Sequence, residues 1–175
     1  MNKRLTEKRL LNITLFYLSR YESSTDKVRL MLQRRLKRMA LKGEEIPSEA
    51  ETWINNVIQK VQDDAYLNDS RYAENQVRLL INQGKSEQFI LAKLKQAGIP
   101  RETVLRFIEA SGTNEQERAI TLMKRKKIGP YRSQQSPEQF KKDMGVLARA
   151  GFSYETIRAV LPETENTSAF SEFIT

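Results

Sequence analysis

Counting a twelve-residue calcium loop from Asp63 places Glu74 at its last position, where a bidentate carboxylate belongs. Asp64 and Asp69 add two more acids, but Ala65 and Leu67 fall where oxygen ligands are needed. Asn68 also stands in place of the glycine of the sharp turn. These acids read better as favourable neighbours of a helix N-terminus at Asp69. The 175 residues include no Cys and no His, which excludes thiolate sites, disulfides, imidazole acid–base catalysis and the usual zinc ligand sets. Neither Gly-x-x-x-x-Gly-Lys-Ser/Thr nor Gly-x-Gly-x-x-Gly occurs, so no phosphate-cradling loop is encoded. A serine nucleophile would need a Ser–Lys pair, and no spacing singles one out. The sequence reads as a non-enzyme, with no metal and no cofactor.

Binding chemistry is what remains. Arg34, Arg35, Lys37 and Arg38 form one basic run, and Lys124, Arg125, Lys126 and Lys127 form a second. With Arg71 they make up the candidate partner-binding set. Each run ends a predicted helix, where cations complement the dipole, so either alone could be a solvated helix end. Their distribution argues for more. Residues 1–62 carry 13 basic and 7 acidic groups (net +6), and residues 63–111 carry 7 of each. Residues 112–162 carry 10 and 5 (net +5), while residues 163–175 carry three acids and no base. A chain of net charge +8 with basic ends and a neutral middle implies a polyanionic partner, either nucleic acid or an acidic protein groove. Tyr17, Tyr21 and Tyr131 lie near the basic segments and could stack on bases or serve as core.

Helices must position these groups. Asn68 and Asp69 supply cap oxygens for a helix with Ala73, Val77, Leu80 and Ile81 on one face. Gly84 ends it, Ser86 caps a second helix with Ile90, Leu94 and Ala97, and Gly98 closes that one. A third helix follows Ile99-Pro100. This three-helix unit recurs: Leu94, Ala97, Gly98, Glu102 and Thr103 match Leu147, Ala150, Gly151, Glu155 and Thr156 at a constant displacement of 53. Ala92 and Gly145 coincide as well, which predicts close backbone approach there. Upstream, Ser24, Val28 and Leu32 echo Ser86, Ile90 and Leu94. The expected architecture is all-α, with three tandem three-helix repeats forming an elongated, curved body. The units span 1–65, 66–111 and 112–162, and the acidic segment 163–175 is expected to be disordered or loosely docked.

In the first unit, helices over about 5–21 (stripe Leu11, Leu15, Leu18), from the turn 22–26 onward (Val28, Leu32, Leu36, Met39), and after Ser48-Glu-Ala-Glu51 (Ile54, Val57, Ile58, Val61) are predicted. Ser48 with Glu51, and Thr113 with Gln116, are expected to form capping boxes. In the third unit, Ala119, Ile120 and Met123 mark one helix. Ser136-Pro137 opens a second with Phe140, Met144, Leu147 and Ala148, and Ser153 opens a third that Pro162 ends. Lys8 and Arg9 abut the apolar run from Leu10 to Leu18, and no small-residue cleavage site follows, so a signal peptide is not expected. No apolar run reaches the ~20 residues of a membrane helix. The reading is cytoplasmic.

The stretch Tyr66-Leu67-Asn68-Asp69-Ser70-Arg71-Tyr72-Ala73, followed by Gly84, Ile90, Leu94 and Gly98-Ile99, resembles the RecX family of regulatory proteins. An aromatic at Tyr72 and the Leu94-x-x-x-Gly98-Ile99 ending follow that family's pattern. The chain departs from it at Ser86-Glu87, where Gly-Pro is frequent, and at Leu80, where a basic residue is frequent. The resemblance implies a protein that lies in the helical groove of the RecA recombinase–DNA filament; the chain itself is expected to be a monomer. There it would bridge successive subunits and interfere with strand exchange and with induction of the DNA-damage response. The alternative reading is a basic helical module that binds single- or double-stranded DNA directly.

Overall fold

The computed structural model describes residues 5–133 and 136–161, which form nine α-helices and no strand. In chain order these are α1 (Glu7–Leu18), α2 (Thr25–Leu41), α3 (Ala50–Asp63), α4 (Asp69–Asn82), α5 (Glu87–Lys95), α6 (Arg101–Ala110), α7 (Glu115–Lys126), α8 (Pro137–Arg149) and α9 (Tyr154–Val160). A single 3-10 turn, Gly129–Tyr131, follows α7. No helix among the described residues is long and apolar enough to cross a membrane.

The helices gather into two compact units. Among the described residues, the first holds the chain up to Glu74 together with Leu94–Pro100, and the second holds Asn75–Lys93 and the chain from Arg101 to Leu161. In the first unit α1, α2 and α3 pack on one another over Leu10, Val28, Leu32, Ile54, Val57, Ile58 and Val61. The α1 face differs from expectation. Leu10 and Thr14 are fully buried, while Leu11, Leu15 and Leu18 pack only in part against the core. Thr14 is tolerated there because its hydroxyl donates to the Leu10 carbonyl at 2.9 Å. Tyr72 of α4 is also buried, and its hydroxyl accepts from Lys27 Nζ at 2.6 Å. Asp69 Oδ1 accepts the Thr25 N–H at 2.7 Å, so an acid at the start of α4 caps the first turn of α2.

In the second unit α7 and α8 each pack on α9 over Ala119, Met123, Leu147, Phe152 and Ile157. Ala148, expected on the α8 stripe, is exposed instead. Ser86 caps α5 by accepting the Phe89 N–H at 3.2 Å, and its own hydroxyl donates to the Ala150 carbonyl at 2.7 Å.

Gly98 and Gly151 carry φ of +76° and +86°, the left-handed geometry that the repeat requires at its helix exits. Three other local expectations are overturned. Ser48 does not cap α3: Ala50, 2% exposed, is drawn into the core by a turn in which its N–H donates to the Pro47 carbonyl. The helix therefore starts after Glu49, with no side-chain cap. The second capping box forms one residue late, between Asn114 and Glu117, because the Thr113 carbonyl and hydroxyl receive the buried Arg118 guanidinium. Gly145 has no neighbouring backbone close by. A Cβ there would meet only the Arg149 guanidinium at 3.2 Å, so the predicted close approach is absent. Pro162 and residues 163–175 lie outside the described residues.

Candidate functional site

The first basic run occupies α2, where burial of Leu32 and Leu36 turns Arg34, Lys37 and Arg38 outward. Arg38 Nε reaches back to the Arg34 carbonyl at 3.4 Å, a weak contact near the helix end. Arg35 is half-buried, and its Nε has no hydrogen-bond partner among the described residues. None of the four makes an ion pair within the described residues, where the two ion pairs are Lys60–Asp64 at 3.2 Å and Arg132–Asp143 at 2.8 Å.

The second run ends α7. Lys124, Arg125, Lys126 and Lys127 are all exposed, and Lys127 takes the left-handed cap position at φ +51°. Lys124 Nζ lies 5.7 Å from the Tyr131 ring centroid, within cation–π range. Arg125 is committed locally: its Nη1 donates to the Gln83 carbonyl at 2.6 Å and so caps the end of α4. Three lysines of this run are therefore available to a partner, and one arginine holds the scaffold.

Sequence reasoning missed the group that fixes the loop after this run. Asp143, 3% exposed, accepts the Gly129 N–H and Arg132 Nη2, each at 2.8 Å. The signal was present: Asp143 stands at the repeat position of Ile90 (a displacement of 53), where an apolar residue is expected. An acid at a buried repeat position needs its own donors.

Arg71 is grouped with the turn after α1 and not with the run on α2. It lines a cleft of about 280 Å³ with Leu18 to Ser23, Tyr66 and Asn68. The acids that suggested a calcium loop serve helix ends: Asp64 pairs with Lys60, Asp63 accepts from Gln59 at 2.8 Å, and Asp69 caps α2. No cluster of three acids suited to a metal ion exists among the described residues.

A family model described as "RecX, second three-helix domain" matches residues 68–105. The chain is 35% identical over 158 residues to the regulatory protein RecX of Myxococcus xanthus (strain DK1622), covering 87% of this chain and 83% of that protein. The chain belongs to the RecX family. A shorter match, 34% over 99 residues, covers 56% of the chain and 53% of the regulatory protein RecX of Agrobacterium fabrum (strain C58). The crystal structure of RecX from Lactobacillus salivarius agrees in fold, with a TM-score of 0.60 at 24% identity over 88% of this chain and 93% of that one. In this RecX-family chain, Tyr72 and Gly98 of the family motif have structural duties: one is buried core tied to Lys27, the other is a left-handed helix exit.

Proposed function

We propose that this RecX-family protein binds the RecA–DNA filament in its helical groove and inhibits recombinase, ATPase and coprotease activities. It does so by occupancy, as a cytoplasmic monomer without catalysis or cofactor. The observation that carries the reading is the match to a regulatory protein RecX over most of both chains. Two basic runs without ion pairs among the described residues support it, because unpaired surface cations favour a polyanionic surface such as protein-coated DNA. Contacts are made by Arg34, Lys37 and Arg38 on α2 and by Lys124, Lys126 and Lys127 on α7, with Arg71 as a further contact. Direct DNA binding is the second reading, favoured by the same unpaired cations.

Co-sedimentation with RecA filaments separates the two. Binding to bare single-stranded DNA should weaken by a slope of about −0.7 per neutralised phosphate in a double-logarithmic salt plot, whereas filament binding should require RecA and respond less steeply. A single exposed charge contributes only about 0–1 kcal/mol. Two linked patches make the second contact intramolecular, so losing a whole patch costs more. Reversing Lys124, Lys126 and Lys127 to Glu, while keeping the α4-capping Arg125, should lower filament affinity by about tenfold or more with helicity unchanged. Unaltered affinity in a folded triple variant would reduce this run to a solvated helix end.

A further inference from the structure

The cleft beside the α1–α2 turn has an excess of hydrogen-bond donors and too few acceptors to match them. Arg20 and Arg71 make no ion pair with any described residue, and Arg71 uses only its backbone N–H locally, to Asn68 Oδ1 at 2.9 Å. Because Asn68 spends its oxygen on that bond, its amide NH₂ is the group left for a ligand. Ser23 also lines the cleft. It is 3% exposed, and its hydroxyl has no hydrogen-bond partner, an expensive state for a buried polar group in the absence of a ligand. Glu22 is the one acid on the lining, and it takes part in an interaction of its own.

Two aromatic rings complete the lining. Tyr21 and Tyr66 are 59% and 57% exposed, so both rings are open to solvent at the cleft. Tyr21 is braced by Tyr17 at a centroid separation of 5.3 Å, and the Arg20 guanidinium is held 4.3 Å from the Phe16 centroid. The surface thus presents pre-positioned flat faces beside unpaired guanidinium and hydroxyl groups. Its volume is at the small end for a ligand site, suited to one moiety and too small for an extended cofactor.

We infer that this cleft holds one nucleotide of a single-stranded nucleic acid, with the phosphate on Arg20, Arg71 and Ser23 and the base against Tyr66, beside Tyr21. A duplex hides its base faces, so the tyrosines select an unpaired strand. An acidic peptide would satisfy the arginines but would offer the tyrosines no flat partner.

The test uses the full chain with no recombinase present, so its failure leaves the filament reading untouched. Amide resonances are followed while pentathymidylate is titrated at about 0.15 M salt, where distant surface charges are screened. Shifts should concentrate at Ser19–Ser23 and Tyr66–Arg71. Tyr66→Ala and Arg71→Gln, both at exposed positions, should each weaken binding by about tenfold, the scale of one lost stacked base or phosphate contact. Ser23→Ala, a change of one atom, should weaken it as well. No shifts at these residues, or unchanged affinity in folded Tyr66→Ala, would overturn the assignment. Tighter binding of a hexaglutamate peptide to the same residues would also overturn it, in favour of an acidic protein segment.

Discussion

Asp143→Ala should lower the stability of the second unit by about 3 kcal/mol, the lower end of the cost of breaking a buried charge pair. Asp143 is almost fully buried and joins α8 to the loop after α7 through the Gly129 N–H and the Arg132 guanidinium. Its removal deletes both contacts and leaves the Arg132 charge without its acid. The Arg132 side chain is 30% exposed, so water softens that loss, which is why the lower end applies. Asp143→Asn keeps an acceptor for the loop and should cost less. Urea unfolding at neutral pH checks both. A loss below about 1 kcal/mol in Asp143→Ala, the value of an exposed pair, would show that the bond contributes little.

Gly84→Val should be comparably damaging, by about 3 kcal/mol or more. Gly84 has φ +67°, a geometry that opposes any Cβ by about 1–2 kcal/mol. A Cβ there would also lie 2.5 Å from Leu122 N and 2.8 Å from the Arg118 carbonyl oxygen, both backbone atoms of α7. Helix backbone cannot swing aside as a side chain can, so overpacking adds a further 1–3 kcal/mol or so. Gly112→Val provides the contrast. Gly112 has φ +67° but nothing lies within 4 Å of an added Cβ, so only the left-handed penalty of about 1–2 kcal/mol should appear. Equal losses in thermal unfolding of the two variants would contradict the claim that α7 passes against Gly84. The position also bears on binding, because Gln83 beside it takes the Arg125 guanidinium at the basic end of α7.

The apolar stripes of α3, α4 and α5 were legible in the sequence because periodic burial is a property of one helix at a time. Ile54, Val57, Ile58 and Val61 are buried as their spacing indicates, as are Val77, Leu80, Ile90 and Leu94. The helix-exit glycines were equally legible, since left-handed geometry is local. Features set by a neighbour were not. Ser48 and Thr113 had the right chemistry for caps, but burial of Ala50 and the reach of Arg118 moved the helix starts. Gly145 looked like a contact point, yet only the Arg149 side chain lies near it. The basic runs were readable as charge, whereas the withdrawal of Arg125 to cap α4 depends on a contact 42 residues away. The cleft was invisible for the same reason. Tyr21 and Tyr66 are separated in sequence and reveal their exposure only once α1 and the start of α4 are placed.

The central claim is that this RecX-family chain regulates RecA by occupying its filament. Titrating the purified protein into RecA's DNA-dependent ATPase reaction tests it most directly, with the amount bound to the filament measured in parallel by co-sedimentation. The account predicts ATPase activity that falls in proportion to filament occupancy, with the Lys124, Lys126 and Lys127 charge-reversal variant requiring about tenfold more protein for the same effect. An ATPase rate that stays constant while the filament is saturated, or a protein that binds bare DNA but not the filament, would contradict it.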